Sequence, residues 1–378
     1  KKAIYGPQIY ARTGCIMVGV LGTEAHPKPE RPVVTLPKEL VERVTANANA
    51  LESFLNCIDI AIQMNHAPES KATVSPHNGG TFKTKPKLAS NKKGTTAWHV
   101  STVHRYKMFL YLKQKYPDSW LVPTADIEFA WLCHIFRTSS YWKDMKELRI
   151  SPSHSLCLSN GEAAMFSTAV EATQNLWNNT FGPDFPYLEP GTDTSWEIWR
   201  VEEQGWFGEL KAFRRDPRRF FPSMGPQVSA APTAVTLPTI QLTADQVKAD
   251  LVWFPELKKA FREMKSNSFD VLRGRGGYGD ELYSQQLLPS YERFLNLCNQ
   301  QGGDGYAPPY VLDLIWHAHQ MEPHLYKQDC ITLFGREFWH DPWPHGLGVS
   351  TALSQEFECA WKEAYGTPIG EDWKYHMG

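Results

Sequence analysis

Tyr106-Lys107-Met108-Phe109-Leu110-Tyr111-Leu112 and Tyr291-Glu292-Arg293-Phe294-Leu295-Asn296-Leu297 decide how this chain is read, because the second echoes the first. Carried on without a gap, Pro123 falls on Pro308, Trp131 on Trp316, His134 on His319, Tyr141 on Tyr326 and Asp144 on Asp329. Every pair keeps one separation (316 − 131 = 185), so the match is one of order rather than of composition. A unit repeated once implies two homologous bodies, and the positions where the copies differ are where chemistry is to be sought.

Outward from this stretch, the flanks repeat as well. From Pro37, apolar residues recur at three- and four-residue steps (Leu40, Val41, Val44, Leu51, Phe54, Leu55, Ile58, Ile62), which predicts a helix. In the second half Leu242-Thr243-Ala244-Asp245 offers a helix start before Val247, Leu251 and Phe254. A helix over Ala163 to Thr180 runs into Phe181-Gly182-Pro183, and the last helix, with Phe357 and Trp361, runs into Tyr365-Gly366-Thr367-Pro368. Strand signals are sparse. The expected fold is all-α: two tandem homologous helical lobes related by pseudo-twofold symmetry, with long irregular loops. The expected divisions are an irregular arm over 1–36, a first lobe over 37–220, a linker over 221–241 and a second lobe over 242–378. Residues 70 to 96 read as a long surface loop.

Bulk properties exclude more than they select. The 378 residues are 42% hydrophobic and 13% aromatic, with 14 Trp, ample material for a core. A net charge of −2 gives no general attraction for nucleic acid or an acidic membrane surface. The seven cysteines form no CxxC pair and are odd in number, which points to reduced thiols and a cytoplasmic setting. No apolar run approaches a membrane span, and Lys1-Lys2 opens no signal-peptide pattern. Arg273 to Gly279 looks like one short RGG contact, and Arg214, Arg215, Arg218 and Arg219 form a basic cluster; both read first as solvated segments.

The chemistry gathers in the second copy, at Asp313-Leu314-Ile315-Trp316-His317-Ala318-His319, then His324 and His340. Residues four apart share a helix face, so Asp313 and His317 point together, with His324 one further turn along. His317 and His319 are about 200° apart around the axis, which argues against both holding one ion. His319 is matched by His134 and reads as architecture, whereas His317 is matched by Leu132 and Asp313 by Glu128. His340 has a near-twin in His154. Asp313, His317 and His340 are therefore the candidate ligands of a divalent metal, an unidentified cofactor. Without a metal, His317 and Asp313 are candidate catalytic groups, the aspartate orienting the imidazole. A hydrogen-bonded polar seam between packed helices is the structural alternative. Trp316, Tyr326 and Trp339 are candidate walls of a substrate pocket; Cys133 and Cys330 read as buried thiols.

The stretch from Pro308 to Gly335, with Asp313-Leu314-Ile315-Trp316-His317-Ala318-His319, Pro323, Tyr326, Asp329-Cys330 and Phe334-Gly335-Arg336, resembles the glycine-rich domain-containing protein-like family. Leu51-Glu52-Ser53-Phe54-Leu55, Arg105-Tyr106 and the Trp361…Tyr365-Gly366 ending are similar to it too. The first copy departs from the pattern, with Leu132 for the His of the Trp-His pair and Thr138 where Pro is usual. The resemblance implies an association with stress and developmental responses in plants and supplies no reaction or ligand set. Trp316, His317, Tyr326 and His340 are the positions that match its motif.

Three functions are expected from these readings. The first is a soluble enzyme acting on a small organic molecule between or within the lobes, with Asp313, His317 and His340 holding a metal. The second is a cofactor-independent cyclase or isomerase with an aromatic-lined pocket and His/Asp proton steering. The third is a non-catalytic scaffold binding protein or RNA.

Overall fold

The computed structural model describes residues 31–65, 98–154, 160–187, 235–251, 254, 287–301, 306, 308–340 and 347–369. These are helical with connecting turns, and no strand occurs among them. In chain order the helices are α1 (Lys38–Asn65), α2 (Trp98–Lys115), α3 (Ala125–Ile135), α4 (Thr138–Leu148), α5 (Asn160–Phe181), α6 (Leu288–Gln301), α7 (Tyr310–Gln320), α8 (Pro323–Phe334) and α9 (Leu347–Tyr365). Residues 244–251 are also helical. Val33 to Gly378 make one compact unit. No described helix is long and apolar enough to cross a membrane.

Two short helices sit at the centre. Every residue of α3 is buried, as is every residue of α7 from Val311 to Gln320. Helices apolar nearly all round must be covered on every side. α2 packs on α3, while α6 and α8 pack on α7. The opening helix α1, however, lies on α7, in the opposite half of the sequence. Its buried stripe Leu40, Val44, Ala48, Leu51 and Leu55 is the one the sequence periodicity marks out.

Four side-chain contacts recur at matched positions in the two halves. Trp131 Nε1 donates to Tyr141 Oη at 3.1 Å, and Trp316 Nε1 to Tyr326 Oη at 2.9 Å. Each tyrosine hydroxyl then donates to a carbonyl, that of Pro152 at 3.0 Å or Phe338 at 2.7 Å. Tyr106 Oη meets His134 Nδ1 at 3.1 Å, and Tyr291 Oη meets His319 Nδ1 at 2.9 Å. Both imidazoles turn Nε2 to an aspartate at 3.1 Å, Asp144 or Asp329.

The halves are also interlocked. His154 Nδ1 donates to Met321 O at 2.7 Å, and His340 Nδ1 donates to Phe136 O at 2.9 Å. Phe136 and Met321 are the C-caps of α3 and α7, whose last carbonyls have no partner within their own helices. Each crossing imidazole thus satisfies a carbonyl at the negative end of the other half's central helix. Charged pairs cross as well. Arg137 grips Asp250 through two bonds of 2.6 and 2.9 Å, and Arg43 pairs with Glu322 at 3.2 Å and with Asp329. Gln241 bonds Asp144 through its backbone N–H at 2.6 Å and its amide at 3.0 Å. Arg137 and Glu322 are matched positions, so the polarity is reversed between the two contacts. α4 ends on Arg149 in the left-handed region (φ 56°), and α8 ends on Gly335 (φ 72°).

The Arg137–Asp250 pair is buried, so removing one partner strands a charge. Arg137→Asp is expected to lower stability by about 3–5 kcal/mol in chemical denaturation. Asp250→Arg added to it recovers part of that loss but not all, because Arg137 Nη1 also donates to Cys133 O at 2.7 Å. No recovery in the double variant would show that the contact is not an ion pair across the halves.

Candidate functional site

α7 presents Asp313 and His317 one turn apart, and both are wholly buried. His317 Nδ1 donates to the carbonyl of Asp313 at 2.6 Å. A carbonyl only accepts, so the ring proton is on Nδ1 and Nε2 carries the lone pair. His340 arrives from the extended stretch after α8, is also buried, and has its Nδ1 committed to Phe136 O. Its Nε2 faces Asp313 Oδ1 at 3.3 Å. The two imidazole rings meet edge to face at 4.5 Å between centroids. One ligand atom from each of Asp313, His317 and His340 lies within 4.8 Å of the others.

Three electron-rich atoms thus converge in a closed space. Asp313 Oδ2 is buried with no hydrogen-bond partner among the described residues. Phe136 closes one side, its ring 4.2 Å from that of His317, and the Trp316 indole stands 4.5 Å from His340. Burial pushes the His317 imidazole down to about 4, with Asp313 pulling it back up and His340 pushing it further down. His317 is neutral at ordinary pH, as a metal ligand must be.

The first half shows what the same frame does without the second histidine. His154 Nε2 lies 2.6 Å from Glu128 Oε1, a short hydrogen bond between imidazole and carboxylate. Trp131 stands 4.6 Å from His154, as Trp316 does from His340. In the second half the carboxylate is one methylene shorter and draws back to 3.3 Å, and His317 takes the place of Leu132. Gln320 replaces Ile135 one turn on; it is fully buried, and neither amide atom has a hydrogen-bond partner among the described residues.

The structure brings together Asp313, His317 and His340 and separates the rest. His324 is not on the same face, because α7 ends at Gln320 and Pro323 starts a new helix on which His324 is exposed. His319 points to Asp329 and Tyr291, as its match with His134 suggests. Trp316 and Tyr326 spend their polar atoms on each other and are buried, whereas Trp339 is 42% exposed beside the buried His340. Cys133 and Cys330 are buried thiols, the latter pushed up to about 12 by burial. The arginine cluster at 214–219, the loop at 273–279 and the stretch 70–96 lie outside the described residues. Glu128 with His154 is the pair that spacing alone does not reveal; the one-residue slip between His154 and His340 is its only trace.

These features define an all-helical protein with a buried imidazole–carboxylate cluster at the contact of two halves. The family model for glycine-rich domain-containing protein-like proteins matches residues 86–144 and 241–329, the two segments that carry α3 and α7. Over these segments the chain is similar to that family. It is 28% identical over 111 residues to glycine-rich domain-containing protein 1 of Arabidopsis thaliana. The match covers 28% of this chain and 14% of that protein. No solved structure matches.

Burial also lowers His134 and His319, with their aspartate partners pulling the other way. The unfolded chain takes up protons at these positions as pH falls through about 6.5, while the folded chain resists. Stability is therefore expected to fall as pH drops below about 6.5, read as the urea midpoint between pH 7.5 and 5. His319→Gln, though less stable at pH 7.5, is expected to show a shallower fall. An unchanged slope would assign the acid sensitivity elsewhere.

Proposed function

We propose that this chain binds one divalent metal ion through Asp313, His317 and His340. The observation that carries the reading is the convergence of two imidazole Nε2 atoms and a carboxylate, each ring fixed by an Nδ1–H bond to a backbone carbonyl. Ligand histidines are commonly oriented in that way by their second nitrogen. The 3.3 Å between His340 Nε2 and Asp313 Oδ1 supports it. Two ligands at 2.0–2.1 Å in tetrahedral array stand about 3.3 Å apart. A proton-bridged pair is expected nearer the 2.6 Å of His154 and Glu128. Two imidazoles and one carboxylate suit zinc or ferrous iron rather than calcium or magnesium. The matched bonds support a duplicated ancestral unit in which only the second half acquired the ion.

Two roles follow for the ion. Complete burial of Asp313 and His317 favours a structural ion that sets the shape of a helical interaction scaffold. Three protein donors leave a coordination position for water or substrate, and this favours an enzyme acting on a small organic molecule, the ion serving as Lewis acid. Burial is the stronger observation, and the scaffold is the reading preferred here. The buried cysteines Cys133, Cys298 and Cys330 support a reducing, cytoplasmic setting.

Elemental analysis of purified protein is expected to find about one zinc or iron per chain. His317→Leu copies the first half and should fold yet retain no ion. Cobalt-substituted protein then separates the roles. A visible spectrum indifferent to azide indicates a closed structural site, and one that shifts indicates an open position and favours the enzyme. Metal-free native protein that takes up no zinc on titration would end the proposal.

A further inference from the structure

α7 supplies Asp313 and His317 on one rigid turn, but the third donor has a different support. His340 sits outside any helix, and among the described residues its hydrogen bonds besides that to Asp313 go to the first half. Its ring donates to Phe136 O at 2.9 Å. Its backbone N–H donates to Thr138 Oγ1 at 3.2 Å, and that hydroxyl donates back to the His340 carbonyl at 3.3 Å. Between these anchors, Arg137 clamps Asp250, and the Phe136 ring lies against His317. The α3–α4 corner of the first half therefore holds the third ligand in position. On the opposite side, His154 crosses to Met321 O with Glu128 on its Nε2.

We propose that cation binding and the seating of the 136–138 corner on the second half are one linked equilibrium, so the ion is a clasp on one of the two crossing contacts. This rests on the metal reading above. A ligand delivered by the first half is in place only when that half is seated, so the ion favours the seated state by its whole differential affinity. The linkage is reciprocal: weakening the corner weakens the ion. The His154 crossing needs no ion and stays closed when the cation is withdrawn, which makes the molecule hinge rather than fall apart.

Hydrogen exchange on the full chain tests this, with zinc as the only probe. Chelation is expected to raise exchange in peptides covering 136–141 and 337–340, with zinc add-back reversing it, while peptides at 150–154 and 321–326 change little. Thr138→Val cuts the tether without touching a ligand and should weaken zinc affinity about tenfold in a chelator competition, with full occupancy at saturation. Unchanged affinity in Thr138→Val, or equal exchange at both crossings, overturns the clasp and leaves the metal site standing. A chain that binds no zinc at all overturns the metal reading first, and the clasp with it.

Discussion

Two imidazole-to-carbonyl bonds hold the architecture to a single arrangement. α3 is buried along its whole length and α7 from Val311 to Gln320, so the carbonyls at their C-termini cannot reach water. A buried acceptor left unpaired costs about 1–3 kcal/mol, and each helix end meets this constraint with a histidine from the other half. His154 caps α7 and His340 caps α3. Neither half can bury its central helix well without the other. The crossing of α1 onto α7 and of Asp250 onto Arg137 follows the same plan.

The two halves differ where this frame leaves room. The Trp–Tyr–carbonyl and Tyr–His–Asp chains occur in both halves, where they bring buried polar atoms together. The stripe Glu128, Leu132 and Ile135 of the first half is matched in position by Asp313, His317 and Gln320 in the second. The first holds one hydrogen-bonded imidazole–carboxylate pair with His154, and the second brings two imidazoles to one carboxylate. A buried neutral imidazole, a stranded carboxylate oxygen and an unpaired amide are costly to keep. Their presence on one helix in one half is an argument for a ligand rather than for packing.

The 185-residue displacement made much of this legible. It separates His134 and His319, which do the same architectural work, from His317, which does not, and the helical spacing of Asp313 and His317 survives in the folded chain. What could not be read was the crossing. Phe136 and Met321 act through backbone carbonyls, which leave no mark on residue identity, and Thr138 reads only as a missing proline. The spacing of Asp313 and His317 carries the helix on to His324, whereas it ends at Gln320, because the turn at Met321-Glu322 is set by Pro323 and by the cap, not by any break in periodicity.

The two exits that lead to the crossing histidines solve one steric problem by different means. Both chains must reverse sharply after α4 and α8, and both do so through a left-handed residue. At Gly335 the turn is open to the backbone without a Cβ, at the expense of extra freedom lost on folding. At Arg149 the chain accepts local strain of about 1–2 kcal/mol and keeps a stiffer denatured ensemble. The approach to His340 thus turns on a residue that fits the left-handed region without strain, while the approach to His154 turns on one that does not.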